Sequence, residues 1–192
     1  MNDRYGIGPR LRMFAETATN FAQLRQIALA EMEVITTKYD ETVNLAVSSG
    51  RDIVYIQMTR GSRMQPMRAK IGEHHPLHST AAGKAILAFL PPGEGSAIMD
   101  APLDEMTLKT IQSAATLRRQ LKEIQRKGYS VERQETEIGL SCVGVPVFDK
   151  TGYPIAALSL TALDKRLMSA LDVAQLDLKD AATAISNQLI QT

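Results

Sequence analysis

The chain has 192 residues, 44% of them hydrophobic and 22% charged, and its 22 basic against 21 acidic residues give a formal net charge of +1. That length fits one domain with at most an added arm, and the near-neutral balance excludes the basic footprint needed to hold nucleic acid unaided. A single cysteine excludes an intrachain disulfide and suits a reducing, cytoplasmic setting, no apolar run is long enough to span a membrane, and 5% aromatic residues are too few for a single-strand stacking platform.

Residues Tyr5-Gly6-Ile7-Gly8-Pro9 are short and turn-like. From Pro9 to about Thr37, the positions Leu11, Ala15, Ala18, Ala22, Ala28, Met32 and Ile35 recur at helical spacing, with Pro9 suited to a first turn. Thr42 to Val47 alternates as a strand, Ser48 to Asp52 turns the chain, and Ile53 to Met58 returns, which predicts a β-hairpin. Gly61 to Lys70 is predicted to hold a short strand, in which Met64 and Met67 are adaptable apolar residues among Arg60, Arg63, Arg68 and Lys70.

The segment His74-His75-Pro76-Leu77-His78 is polar and restrained by proline. It leads through Ser79-Thr80 into Ala81-Ala82-Gly83-Lys84 and an apolar helix stopped by Pro91-Pro92. Ser79 or Thr80 is placed as N-cap, its hydroxyl accepting from the free N–H groups of the first turn. Ala81, Ala82 and Gly83 carry almost no side chain, so an anion can approach bare N–H groups there. This helix start is predicted to be the floor of a small-molecule pocket.

Gly93 to Asp100 is predicted as a short helix broken by Ala101-Pro102, and Thr116 to Lys127 as a helix with Leu117, Leu121 and Ile124 on one face and Gly128 closing it. Its Arg118, Arg119, Lys122, Arg126 and Lys127 read as a solvated outer face, because no aromatic or Gly-rich element accompanies them. Tyr129 to Glu132 is a strand, Gln134 to Gly139 a polar connection, and Leu140 to Phe148 a strand that Pro146 assigns to an edge or a bulge. Asp149 to Gly152 is a hairpin turn, Pro154 to Leu163 the next strand, and Leu171, Ala174, Leu178, Ala181, Ile185 and Leu189 mark a long amphipathic helix. The order predicts an α+β domain, an antiparallel sheet with helices packed against it.

Strand parity sharpens the pocket. Leu140, Cys142 and Gly144 share one face of their strand, and Ala157, Ser159 and Thr161 share one face of the next. Two hydroxyls spaced by two in an otherwise apolar strand must meet something polar, since an unpartnered buried hydroxyl costs about 1–3 kcal/mol. A ligand, water or a neighbouring backbone would each serve, as would internal bonding to the sheet.

Two stretches carry a family resemblance. His74 to Pro91 is similar to one signature of the IclR family of bacterial transcriptional regulators, and Glu135 to Asp149, through Gly152 to Leu160, is similar to the second. The resemblance runs from about Tyr5 to the C-terminus. It implies residues 1–8 as the remnant of a winged-helix DNA-binding domain and 9–192 as the effector-binding domain, with a GAF-like antiparallel sheet flanked by helices. It further implies a small-molecule effector, an organic or aromatic acid, and contact with DNA only through the absent winged-helix domain. A homodimer or homotetramer, no membrane partner, no cofactor and no enzymatic activity complete the expectation. Residue by residue, Ala81 and Ala82 match positions whose backbone faces the effector, and Glu132 an acidic position, here longer by one methylene. Cys142, Ser159 and Thr161 match polar strand positions; Leu140, Met64 and Met67 match apolar walls; His75 replaces a residue that is often apolar.

Rival chemistries are weaker. A metal site from His74, His75, His78, Cys142 and Glu132 suffers because adjacent histidines in an extended segment point opposite ways. Gly83-Lys84 lacks the remaining residues of a phosphate loop, and Gly139-Leu140-Ser141-Cys142-Val143 lacks the second glycine of a nucleophile elbow. A small enzyme using Cys142 or Glu132, and an interaction module with an empty apolar pocket, are the alternatives.

Overall fold

A computed structural model describes residues 9–63 and 69–190, with residues 9–20 as helical backbone. In chain order the elements are α1 (Pro9–Tyr39), β1 (Thr42–Ser49), β2 (Asp52–Thr59), β3 (His74–Pro76), α2 (Ala81–Leu87), α3 (Pro92–Met99), α4 (Ala114–Lys127), β4 (Ser130–Arg133), β5 (Leu140–Phe148), β6 (Pro154–Leu163) and α5 (Asp164–Ile190). The segment 1–8, Met64 and Met67 lie outside the described residues, as do the side chains of Leu11, Ala15 and Ala18.

The strands form one antiparallel sheet in the order β3-β2-β1-β6-β5-β4. Helices cover both faces. Leu24, Ala28, Met32 and Ile35 of α1 and Leu167, Ala174, Leu178 and Ile185 of α5 pack with Val43, Leu45, Val143, Val145, Leu158 and Leu160 into one core. Ala82, Ala85 and Ile86 of α2, Ile98 of α3 and Leu117, Leu121 and Ile124 of α4 pack with Ala46, Ile53, Tyr55 and Ala157 into a second. The alternation along β5 and β6 thus sends the branched residues to the α1–α5 side, while the small and polar residues face α2. This is the predicted α+β architecture.

The third strand departs from expectation. It is His74–Pro76, paired with Asp52–Val54 of β2, whereas Gly61–Arg63 and Ala69–Lys70 are turns and irregular backbone. Asp40 holds the former: its carboxylate accepts from Ser62 N and Ser62 Oγ at 2.5 and 2.8 Å, and Gly61 lies so close to the Asp40 carbonyl that no Cβ would fit. The sheet edge left open by β2 is therefore taken by the later segment, whose ladder continues as Leu77 N donates to Arg51 O at 3.0 Å.

Other elements shift by a few residues. Thr80, and not Ser79, caps α2, accepting from Gly83 N at 3.0 Å, and α2 stops at Leu87. Ser113 caps α4, which starts at Ala114, two residues before the predicted start, and Gly128 closes it in the left-handed region at φ 75°. Pro146 lies beyond the last β4 pair, Ser130↔Gly144, so its missing N–H faces no strand on that side. A bulge follows at Val147/Phe148, where Ser186 Oγ takes up the Phe148 N–H at 3.0 Å.

Helix α2 packs closely on β5. A Cβ at Gly144 would stand 2.7 Å from the Ala81 carbonyl carbon and oxygen and 2.9 Å from Ser130 Oγ. Gly144→Ala should therefore push α2 off the sheet and cost about 1–3 kcal/mol, the usual range for overpacking a filled core. Thermal unfolding should show a midpoint several degrees lower; an unchanged midpoint would mean that α2 does not rest on β5.

Candidate functional site

Between the start of α2 and the α2-facing side of the sheet lies a cavity of about 210 Å³. One water needs only about 10–15 Å³, so the space suits a small molecule and not just solvent. Thr80 and Ala81 of α2's first turn form one wall, and Tyr55, His75, Glu132, Leu140, Cys142, Ser159 and Thr161 come from five of the six strands. Ala69, Met106, Thr136 and Glu137 close it from the loops. Register explains the convergence: Cys142 pairs with Thr161, Gly144 with Ser159 and Glu132 with Cys142, so the parity-selected face is continuous across β4, β5 and β6.

The two hydroxyls of β6 have different fates. Thr161 Oγ1 accepts from Asn44 Nδ2 at 3.2 Å and lies 3.1 Å from Cys142 Sγ, so the sheet satisfies it internally. Ser159 is 2% exposed and lines the cavity, and its hydroxyl has no hydrogen-bond partner among the described residues. A hydrogen-bonded row therefore crosses the sheet from Asn44 on β1 through Thr161 on β6 to Cys142 on β5, with Glu132 on β4 paired in register beside Cys142. Ser159 stands beside this row with its capacity unused.

Burial sets the protonation of the site. Glu132, 2% exposed, is pushed up to about 7 by desolvation, against the Thr136 N–H at 3.1 Å, the Lys84 ammonium and the Glu135 N–H, which all favour the carboxylate. Burial and then the Glu132 carboxyl push the Cys142 thiol well up, so it stays an S–H. Desolvation lowers His75 and keeps it neutral, though Glu73 and Asp52 pull the other way. Its Nε2 is buried without a partner: Glu73 Oε2 stands 3.8 Å away and already accepts from Lys70 N at 3.0 Å.

Lys84 holds the loop that carries Thr136 and Glu137. Its side chain is fully buried and donates to Glu135 Oε1 at 2.6 Å, Val131 O at 3.0 Å and Gln120 Oε1 at 3.3 Å. A buried ion pair of this kind adds little net stability, but losing one partner strands a charge. Its effect is positional, joining α2, α4, β4 and the loop after β4.

Of the sequence-predicted residues, His75, Ala81, Glu132, Leu140, Cys142, Ser159 and Thr161 line one cavity. Ala82 does not: its methyl packs into the second core behind the wall, because the residue after the first helical position points back onto the sheet. Met64 and Met67 lie outside the described residues. Tyr55, Asn44, Lys84 and Glu135 were not among the predicted residues. A lone lysine in an otherwise small and apolar helix, and an asparagine in an apolar strand, were the available signals. The three histidines diverge: His74 is exposed beside Asp52 at 3.5 Å, His75 lines the cavity, and His78 Nε2 bonds Asp104 O at 3.0 Å. Among the described residues no group of three His, Cys, Asp or Glu side chains is arranged to hold a metal ion.

The profile of the family described as bacterial transcriptional regulator IclR C-terminal matches residues 16–187. The chain is similar to the HTH-type transcriptional regulator XynR of Escherichia coli (strain K12), at 30% identity over 190 residues, 98% of this chain and 75% of that protein. It is similar to the HTH-type transcriptional repressor AllR of the same organism, at 34% identity over 151 residues, 78% of this chain and 56% of that protein, so it spans about half of AllR's length. Thermotoga maritima IclR superposes with a TM-score of 0.85 at 34% identity, over 97% of this chain and 76% of that one. An IclR homolog from Microbacterium hydrocarbonoxydans, complexed with 4-hydroxybenzoate, superposes with a TM-score of 0.83 at 26% identity, over 95% of this chain and 75% of that one. The named relatives are transcriptional regulators and not enzymes.

The Glu132 environment predicts a pH dependence of stability. Its carboxyl is raised from 4.5 to about 7 in the folded chain, so its contribution is fully present below pH 4.5 and is lost as pH rises to about 7, at most about 3 kcal/mol in all. Glu132→Gln should remove this loss, giving a protein relatively more stable at pH 8 than at pH 5 when compared with the parent. The difference between the two proteins isolates Glu132 from His75 and His78, whose lowered values act in the opposite direction. Parallel melting curves at pH 5 and 8 for both proteins would refute the assignment.

Proposed function

The chain belongs to the IclR family of bacterial transcriptional regulators, as their C-terminal domain, and from that footing we propose that it is the effector-sensing and oligomerising part of such a regulator. The proposed effector is a small organic or aromatic acid. It sits between the start of α2 and the Cys142–Ser159–Thr161 face, with Ala81, His75, Glu132 and Leu140 around it, Met64 and Met67 as further apolar contacts, and Ala82 supporting the wall from behind. DNA is contacted by a winged-helix domain on the N-terminal side of α1, in the cytoplasm, and the regulator is a homodimer or homotetramer.

One observation carries this reading: on the wall of a cavity large enough for a metabolite, the buried His75 Nε2 has no protein partner and the Ser159 hydroxyl bonds no described residue. A polar group in that state is costly unless something outside the chain bonds it. The homolog held in complex with 4-hydroxybenzoate supports an acid as that molecule.

The mechanism is a population shift. The effector bridges α2 and the sheet on one face; α1 and α5 lie on the other. Tyr39 of α1 donates to Asp177 of α5, and Lys38 Nζ stands 2.6 Å from the same carboxylate, so the two helices are tied at this point. An acid that favours one sheet–helix arrangement thereby biases the direction in which α1 leaves the domain.

A thermal-shift screen over aliphatic and aromatic acids tests the reading. An acid at one hundred times its dissociation constant should add about 2.7 kcal/mol, worth a few degrees. No shift across the panel would favour a module with an empty pocket, and a shift accompanied by turnover would favour an enzyme. Ser159→Val should weaken the acid found in this way at least tenfold, about 1.4 kcal/mol, while circular dichroism shows the fold intact. Unchanged binding would remove the pocket assignment.

A further inference from the structure

The charges around the cavity do not balance once an acid enters it. Two carboxyl groups, Glu132 and Glu137, line the wall, and among the described lining residues there is no lysine or arginine. The cation beside Glu132 is Lys84, and it is already engaged. Its side chain is fully buried and donates to Glu135 Oε1 at 2.6 Å, Val131 O at 3.0 Å and Gln120 Oε1 at 3.3 Å. An ammonium has three donors and no more. Turning toward a ligand would strip Glu135 of its partner, and Glu135 Oε2 is already buried with none. Lys84 and Glu135 therefore cancel, and Glu132 is the carboxyl left over.

Glu132 is held at the cavity wall. It is 2% exposed, and the loop after β4 folds back on it, so that the N–H groups of Glu135 and Thr136, the latter at 3.1 Å, donate to Oε1. Thr136 Oγ1 in turn donates to Ser79 O at 2.9 Å, just before α2. The titratable groups around it are Lys84 of α2, Glu135 and Glu137 of that loop, Cys142 of β5, and Tyr55 of β2 and His75 of β3 on the same cavity. Cys142 and Tyr55 keep their protons and His75 stays neutral, so none of the three supplies a countercharge. A carboxylate ligand is then a second anion in a space that excludes water. Two carboxyl groups sharing such a site do not both stay ionised; one of them holds a proton. Burial already brings Glu132 to about 7, so the proton is readily taken up near neutrality.

We propose that the cavity binds a monocarboxylate together with one proton, drawn from solution and held by Glu132, so that the regulator's response to its effector weakens in alkaline solution. This inference rests on the acid-sensing reading above. Below pH 7 the proton is in place before the acid arrives, and binding is insensitive to pH. Above pH 7 it must be acquired, and the apparent affinity falls toward tenfold per pH unit.

Isothermal calorimetry on the 192-residue chain at pH 6 and pH 8 tests this, with acetate, butyrate, pyruvate and benzoate as probes, all ionised over that range. Each acid that binds should do so about tenfold more weakly at pH 8. Paired buffers of different ionisation heat should show uptake of about 0.9 of a proton per acid bound at pH 8, against about 0.1 at pH 6. Glu132→Gln, which keeps the shape without the charge, should bind at pH 8 within threefold of the parent at pH 6, with heats independent of buffer. Proton uptake is read in the parent protein, so the test stands even where the variant folds poorly. Equal affinity at the two pH values, absence of proton uptake, or a pH dependence that survives Glu132→Gln would each overturn this inference and leave acid sensing standing. The same holds for an affinity that keeps rising tenfold per unit below pH 6, which would place the proton on the acid. Absence of binding by all four acids at both pH values would overturn both.

Discussion

Helix α2 rests on β5 with only backbone between them. Gly144 has no side chain, Ala81 presents its carbonyl to Ser130 Oγ at 2.6 Å, and Gly83 fits against Leu77 where no Cβ could. That close approach fixes where the first turn of α2 stands over the sheet, and with it the depth of the cavity. A larger residue at 144 would lift the helix off the sheet, since close-packed interiors transmit such a change instead of absorbing it. Lys84 adds direction to the contact. Its buried ammonium draws the loop after β4 toward α2, so Thr136 and Glu137 become a wall of the cavity.

The same constraint accounts for the electrostatics. Once α2 and the loop close over the sheet, Glu132 loses water without gaining a full set of partners, and its carboxyl becomes able to hold a proton near neutrality. Cys142, His75 and Tyr55 are kept neutral by the same exclusion of water. The result is a chamber whose polar groups are mostly uncharged donors, with acidic groups at one side. Such a chamber can recognise a molecule by where its oxygens lie, and needs no cation to draw it in.

Much of this was legible in the chain. The hairpin of β1 and β2, the cap at Thr80, the small residues of the α2 start and the parity of Cys142, Ser159 and Thr161 all followed from local rules, because turns, caps and alternation depend on neighbours a few residues away. The third strand was not, since two segments after β2 could compete for its edge and the outcome turned on Asp40 holding Gly61 and Ser62. Tyr55 escaped notice for a similar reason: alternation puts it on a face, but only the sheet order says what that face meets.

By itself, the sequence determined the elements, their apolar faces and the small-residue entrance to α2. Only the tertiary structure decided which hydroxyl was spent and which was left free. Thr161 found Asn44, 117 residues away and one strand over, while Ser159, two residues earlier on the same face, found nothing. Hydrogen-bond partners at such separations exist only after the strands have taken their order and register, because directional bonds of about 3 Å are set by the positions of whole strands and not by spacing along one.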